Sequence, residues 1–174
     1  MQIPTEIFKA YDIRGIVGQT LTEPLVEQIG WAIGDTAIAA GGDAVIIGWD
    51  GRPSGPSLAN ALAVGIQSAG CHAVKIGMVP TPLTYFASHY LNIGSAVSVT
   101  GSHNPPEYNG LKIVIAGHTL AGQEIQTLRH HIQSRRNAGQ QGNARTESVT
   151  GAYIDRISSD IKITRPLRIA VDSG

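Results

Sequence analysis

Apolar and polar residues follow two different periods along the chain, one typical of helices and one typical of buried strands. Residues 22–40 place apolar side chains at helical spacing and end at two glycines, which predicts a helix. Residues 44–48 (AVIIG) form a short, continuously apolar run that is typical of a strand buried on both faces. Residues 57–69 repeat the helical spacing and stop at Gly70.

The same alternation continues through the middle of the chain. His72–Ile76 predicts a strand, and the Thr81-Pro82 pair begins another helix. Two further strands, residues 95–99 and 111–116, follow with no helical pattern between them. Strands that alternate with helices favour βαβ units, so we expect an α/β fold with a mixed, mostly parallel sheet sandwiched by helices. The segment between the last two strands is too short for a crossover, so that pair is expected to be an antiparallel hairpin.

The C-terminal part contains two helical patterns separated by a polar segment. Residues 122–136 and 151–161 predict helices, and residues 137–150 are expected to form a flexible loop. Residues 167–172 (LRIAVD) resemble a strand that is followed by only two residues. We therefore expect a second domain that is cut short, comprising a helix, a linker and its first strand. The expected domains span residues 1–150 and 151–174.

Charge and composition exclude several classes of protein. The chain has 13 Lys and Arg against 13 Asp and Glu, so we expect neither a nucleic-acid-binding nor a membrane-binding surface of the globally basic kind. No leader-like or membrane-spanning apolar run occurs, so a cytoplasmic location is expected. The single cysteine, Cys71, excludes an internal disulfide framework and a cysteine-based zinc cluster. Glycine supplies 21 of 174 residues, above the usual share of about 7%, as tight strand–helix turns require.

Four segments are rich in glycine, proline and polar residues. Each either follows the carboxyl end of a predicted strand or could lie beside those ends in the fold. Ligands of open α/β sheets bind outside the carboxyl ends of the strands, so these segments are the candidate site. They are residues 10–15 (AYDIRG), 48–55 (GWDGRPSG), 77–82 (GMVPTP) and 100–110 (TGSHNPPEYNG). The last has the strongest signal, because Gly101 lets backbone approach a ligand and Pro105 restricts Asn104.

Ser102 in this segment admits several interpretations. The simplest is a turn in which Ser102 and Asn104 only bond to backbone. A hydrolase elbow would need glycines two residues before and after the serine, where Thr100 and Asn104 stand. A phosphoryl-carrier serine fits better, because phosphate needs nearby cationic donors and usually a divalent metal. Three of the available donors have simpler interpretations when taken singly: Lys112 as an edge-strand charge, Arg52 as a partner of Asp50 that braces its loop, and His103 as a solvated turn residue. The candidates are Arg14, Arg52, His103 and Lys112.

Other candidate sites are weaker. His130 and His131 point to adjacent helix faces and predict a solvated surface rather than a metal pair. The chain contains neither a G-x-G-x-x-G motif after a strand nor a P-loop, so dinucleotide and nucleoside triphosphate sites are unsupported.

Three motifs, in this order, resemble those of the α-D-phosphohexomutase superfamily. They are FKAYDIRG at Phe8–Gly15, GWDGR at Gly48–Arg52 and VTGSHNPPEYNGLKIV at Val99–Val114. Within that superfamily the whole chain is similar to the N-terminal domain of the bacterial phosphomannomutase/phosphoglucomutase branch. The common serine motif is T-A-S-H-N-P, and Gly101 stands in place of its alanine with no expected loss of function.

The resemblance implies an enzyme, an intramolecular phosphotransferase of the isomerase class. Such an enzyme interconverts the 1- and 6-phosphates of mannose or glucose through a phosphorylated Ser102 and a hexose 1,6-bisphosphate intermediate. Mg²⁺ would bind through the phosphate on Ser102 and neutralise charge. Both His103 and Lys112 are candidates for proton transfer. The implied site residues are catalytic Ser102, His103, Lys112 and Arg14, substrate-binding Tyr11, and supporting Asn104, Asn109, Asp50 and Arg52.

The resemblance also implies what the chain lacks. Superfamily enzymes have four domains, and their D-G-D-x-D metal loop, sugar-specificity loop and phosphate-binding domain do not occur in this sequence. We therefore expect the chain alone to have little or no mutase turnover. The expected partners are hexose phosphates and the remaining domains, and neither nucleic acid nor membrane. The alternative is a non-catalytic module that binds sugar phosphates without a phosphorylated serine.

Overall fold

A computed structural model describes residues 3–134 and 140–172 of the chain. This part forms three layers, with a mixed sheet between two layers of helices. The strands are β1 (Ile13–Ile16), β2 (Ala44–Trp49), β3 (His72–Met78), β4 (Ala96–Val99), β5 (Tyr108–Ile115), β6 (His118–Thr119) and β7 (Ala144–Thr146). The helices are α1 (Glu23–Ala39), α2 (Gly55–Ser68), α3 (Thr81–Tyr90), α4 (Gln123–Ile132) and α5 (Thr150–Asp160).

The sheet has the order β1-β5-β4-β2-β3-β7, and β6 also pairs with β5. Strands β4, β2, β3 and β7 form parallel pairs, whereas β5 is antiparallel to β1, β4 and β6. Within the described residues β5 is thus the one strand that runs opposite to the others. The predicted mixed, mostly parallel α/β architecture is confirmed. The predicted hairpin is confirmed as well, with Val99 of β4 opposite Leu111 of β5.

Helices cover both faces of the sheet, which explains the continuously apolar strands. Val45 and Ile47 of β2 pack in the core under α1, α2 and α4, whereas Ala44 and Ile46 pack in the core under α3. Successive side chains of a strand point to opposite faces, so a strand covered on both sides has no polar positions. No helix in the described part of the chain is long and apolar enough to cross a membrane.

Helices α1 and α2 approach each other so closely that glycine is required at the contact. A Cβ atom added to Gly65 of α2 would overlap the carbonyl oxygen of Glu27 in α1. A Cβ atom added to Gly30 of α1 would overlap the carbonyl oxygen of Leu62 in α2. This contact fixes α2, whose N-terminal end follows directly on the residue 50–54 segment of the candidate site.

We expect Gly65→Ala to lower the free energy of unfolding by about 2–3 kcal/mol, because the new methyl group meets backbone and the helices must move apart. Urea denaturation followed by circular dichroism measures this loss. Gly151→Ala in α5 is the matched control, since its Cβ would meet nothing within 4 Å. The control is expected to raise stability slightly, as alanine generally does in a helix. Equal midpoints for the two variants would contradict the close helix contact.

The prediction of a flexible loop over residues 137–150 is wrong in its second half. Ala144–Thr146 forms β7, which pairs in parallel with β3 and places Arg145 opposite Val74. All three β7 residues are exposed, so no hydrophobic pattern marks the strand and only its backbone ladder defines it. Residues 137–139 lie outside the described part of the chain.

Two further segments differ from the sequence-based prediction. The candidate loop at residues 10–15 contains the start of β1, which pairs with β5 and sets Arg14 opposite Gly110. Residues 161–172 have neither helix nor strand, so no strand is found at the predicted position of 167–172. The domain boundary near residue 150 stays a prediction. The predicted helix over residues 122–136 ends at Ile132, and its last two positions lie outside the described residues.

Candidate active site

The four candidate segments meet at one edge of the sheet, where β2, β3 and β4 end. The amide of Asp50 donates to the Val99 carbonyl at 3.0 Å, which joins the ends of β2 and β4. The amide of Val79 donates to the Trp49 carbonyl at 2.8 Å and brings in the segment after β3. The predicted position of the site at the carboxyl ends of the strands therefore agrees with the fold.

Ser102 lies exposed at the tip of the turn that connects β4 with β5. Its backbone has a φ of +52°, a left-handed conformation that is unusual for serine. Its amide donates to Thr100 Oγ1 at 2.9 Å, and its own Oγ lies 3.4 Å from His103 Nδ1. The Asn104 amide and side chain both bond to the Gly101 carbonyl and close the turn behind the serine. The hydroxyl is thus presented to solvent beside an imidazole.

Arg52 holds this turn from beneath through its guanidinium group. One terminal nitrogen donates to the carbonyl oxygens of Pro105 at 2.7 Å and Tyr108 at 3.0 Å. The other donates to those of Ser102 at 3.2 Å and Asn104 at 2.6 Å. The side chain is only 15% exposed. A planar group with fixed donors that bonds four carbonyls fixes the path of the turn far better than a single contact would.

Asp50 completes this support. One carboxylate oxygen accepts the Arg52 amide at 3.0 Å, and the other accepts the Gly101 amide at 3.1 Å and lies 3.4 Å from Arg52 Nε. A Cβ atom on Gly101 would overlap the Arg52 guanidinium, so alanine here would require Arg52 to move. The ordinary pairing of Arg52 with Asp50 is therefore present, but it is one part of a larger brace.

A cluster of opposite charges lies beside the turn, on strands β1 and β5. The guanidinium of Arg14 donates to Asp12 Oδ2 at 2.6 Å, and Lys112 Nζ lies 3.9 Å from the same oxygen. The second terminal nitrogen of Arg14 is 3.4 Å from Asn104 Oδ1, which links the cluster to the serine turn. Lys112 lies on β5, in the sheet interior between β1 and β4, so it is not an edge-strand charge. Asp12 is the residue that the sequence analysis missed.

The remaining predicted site residues take different positions. Asn109 is fully buried, donates to Ser54 Oγ at 2.9 Å and accepts the Gly110 amide at 2.8 Å, so it is a structural part of the turn. Tyr11 is 75% exposed, and its ring is free to contact a ligand. A depression of about 460 Å³ flanks the turn, and Arg14, Asn104, Tyr108 and Lys9 contribute to its lining.

The described residues contain no group of three or more His, Cys, Asp or Glu side chains that could hold a metal ion. Two carboxylates of the site, those of Asp12 and Asp50, already have partners. Asp12 faces two cations, and Asp50 faces Arg52 and the Gly101 amide.

His131 and Cys71, both outside the site, have structural surroundings. The expectation that His131 is solvated is wrong, because its Nε2 lies 2.7 Å from Asp35 Oδ2 and its ring stacks on Trp31. Burial, with a smaller contribution from the charge of Asp43, raises the pKa of the Cys71 thiol to about 11. A thiol with so high a pKa is a poor nucleophile, which agrees with a core role for Cys71.

Comparisons with known proteins agree with this geometry. A family model described as phosphoglucomutase/phosphomannomutase, alpha/beta/alpha domain I, matches residues 5–139. The chain is 45% identical over 172 residues to a phosphomannomutase/phosphoglucomutase of Pseudomonas aeruginosa, which covers 99% of this chain and 37% of that protein. It is 44% identical over 174 residues to a phosphoglucomutase of Neisseria meningitidis, with 99% and 38% covered.

A solved structure gives the same result in three dimensions. The crystal structure of a phosphoglucomutase/phosphomannomutase family protein from Burkholderia thailandensis matches with a TM-score of 0.90 at 45% sequence identity. The match covers 95% of this chain and 38% of that one. The chain thus spans little more than a third of the length of these relatives.

Proposed function

The chain belongs to the phosphoglucomutase/phosphomannomutase family, and we propose that it is the phosphoserine-bearing part of an enzyme that interconverts hexose 1-phosphates and hexose 6-phosphates. The observation that carries this proposal is the exposed Ser102 hydroxyl on a turn braced by Arg52. A serine that repeatedly gains and loses a phosphoryl group must be open to the substrate and firmly placed. The cations on β1 and β5 supply the charge that a phosphate needs.

The transfer itself exchanges two oxygen–phosphorus bonds. The bond between phosphorus and Ser102 Oγ breaks while a hydroxyl oxygen of the hexose phosphate bonds to that phosphorus. The hydroxyl proton leaves to a base, and Oγ takes up a proton, so the products are a hexose 1,6-bisphosphate and a free serine. After the bisphosphate reorients in the site, its other phosphoryl group is transferred to Ser102. The sugar's phosphate has then moved between positions 1 and 6.

The geometry supports separate roles for the neighbouring side chains. His103 Nδ1 lies 3.4 Å from Ser102 Oγ and is placed to exchange a proton with that oxygen. Lys112 is paired with Asp12 and, with Arg14, would stabilise charge on the phosphoryl group. Tyr11 would contact the sugar. Asn104, Asn109, Asp50 and Arg52 would keep the turn in place.

A divalent ion, Mg²⁺ in this proposal, would supply charge neutralisation at the phosphoryl group. The ligand that we propose for it among the described residues is an oxygen of the phosphate on Ser102, because Asp12 and Asp50 are engaged with cations. Further ligands would come from outside these residues. We therefore propose that full turnover needs more than this chain, which agrees with its share of the relatives' length. A cytoplasmic location stays a prediction.

Phosphopeptide mapping of the protein isolated from its source cells tests the proposal. We expect a phosphate on Ser102, seen as a mass increase of about 80 Da. The peptide that contains Ser57, an exposed serine of α2, is the internal control and should be unmodified. An unmodified Ser102 together with measurable binding of hexose phosphate would support the non-catalytic binding module instead.

A further inference from the structure

Asp12 is a buried carboxylate that no step of the proposed reaction uses. Its side chain is 8% exposed, and the same oxygen faces Arg14 Nη2 at 2.6 Å and Lys112 Nζ at 3.9 Å. A carboxylate removed from water is costly unless it is paired, so this geometry ties the ionised Asp12 to both cations. Its position therefore bears on how these cations meet a phosphate.

The strand register explains why the three charges meet. Pairing of Ile13 with Leu111 brings Asp12, one residue before β1, opposite Lys112 of β5. Arg14 lies two residues after Asp12, and residues two apart on an extended strand share a face. The D-x-R spacing and the cross-strand lysine thus converge because of the fold.

We propose that Asp12 is a positioning residue that holds Arg14 and Lys112 together and competes with the phosphoserine for them. This inference rests on the proposed function, because it assumes that a phosphate is carried by Ser102. Without Asp12 the two cations would face the phosphate with no opposing charge and bind it more tightly. With Asp12 in place they have an alternative anion, which limits their hold on a group that must leave again. Asp12 acts through these side chains and does not touch the reacting atoms.

The titration of the phosphoserine tests this competition. Phosphoserine is installed at position 102 during translation, so the measurement does not depend on any transfer activity. The second pKa of the phosphate is then followed by ³¹P NMR at low salt in the original chain and in Asp12→Asn. We expect the midpoint to fall by about half a pH unit in Asp12→Asn, because the dianion gains unopposed cations. An unchanged or raised midpoint would overturn the proposal.

Asp35→Asn is the matched control, since Asp35 pairs with His131 on α1 and α4 and contacts none of these cations. The second pKa of the phosphate in Asp35→Asn should equal that in the unsubstituted protein. If Asp12→Asn does not fold, the original chain still decides the question. The ¹³C signal of the Asp12 carboxylate should move with the phosphoserine titration, whereas that of Asp160, which pairs with Arg156 on α5, should not. If the chemical shift of the Asp12 carboxylate stayed constant through the titration, Asp12 and the phosphoserine would not share these cations.

Phosphopeptide mapping separates the two proposals. An unphosphorylated Ser102 in the native protein would reject the proposed function while leaving the measured titration unchanged. A phosphorylated Ser102 with no effect of Asp12→Asn on the midpoint would reject the competition and leave the proposed function standing.

Discussion

Ser102→Ala is expected to abolish phosphoryl transfer completely. The substitution removes the exposed hydroxyl oxygen that lies 3.4 Å from His103 Nδ1, and alanine has no atom that can bond to phosphorus. The protein in its native length is incubated with hexose 1,6-bisphosphate labelled with ³²P, and incorporation is followed on acid-quenched samples. Acid preserves phosphoserine but destroys phosphohistidine, so label moved to His103 is not counted. Incorporation of ³²P should be lost completely, and the thermal stability of the protein should not change.

Two further variants make this result specific. Ser57→Ala removes a hydroxyl of α2 and should leave incorporation unchanged. Ser102→Thr keeps a hydroxyl but puts a β-branched residue at a φ of +52°, a conformation that costs about 1–2 kcal/mol for such residues. Its incorporation should fall at least about tenfold, because the oxygen is displaced. Full labelling of Ser102→Ala would place the acceptor elsewhere and end the phosphoserine proposal.

The interior of the sheet could be predicted from the sequence, because burial on both faces leaves a continuous apolar run such as Ala44–Gly48. The strands at the two edges of the sheet could not be predicted in this way. β7 exposes all its side chains and is defined by backbone bonds to β3 alone. β1 has one neighbouring strand and carries Arg14, so its pattern is indistinguishable from a ligand-binding loop. Polar edge strands depend on partners distant in sequence, which no local pattern contains.

The candidate site divides in the same way. Ser102 and the cations could be proposed from the sequence because phosphate chemistry demands recognisable residue types close to one serine, and their roles stay a prediction. The task of Asp12 and the bonds by which Arg52 supports the turn could not, since Lys112 and the four carbonyl oxygens lie far from them in the sequence. Arg52 was predicted to support the turn, but its bonds go to carbonyl oxygens, which every residue possesses. The fold alone determines which four carbonyl oxygens lie within hydrogen-bond distance of Arg52.

The brace formed by Arg52 gives the second large effect. Arg52→Ala is expected to lower phosphoryl incorporation at Ser102 at least about 100-fold, because the nucleophile loses its fixed position. It should also lower the free energy of unfolding by about 2–4 kcal/mol, since several charge-assisted bonds are lost together. Hydrogen exchange at the Asn104 amide, which bonds to the Gly101 carbonyl in the turn, should speed up.

Arg52→Lys decides whether charge or shape matters. Lysine keeps the positive charge near Asp50, but its single ammonium has three donors on a flexible stem and cannot span the four carbonyls. If the planar fork is what fixes the turn, Arg52→Lys should lose most of the incorporation that Arg52→Ala loses. Arg145→Ala is the control. Arg145 lies on β7, at the opposite edge of the sheet from β1, and the substitution removes only an exposed ion pair with Glu147. It should change the free energy of unfolding by less than about 0.5 kcal/mol. Incorporation in Arg52→Lys equal to that of the original protein would mean that Arg52 serves only as a counter-charge to Asp50, and that the turn keeps Ser102 in place through Asn104 and Thr100 instead.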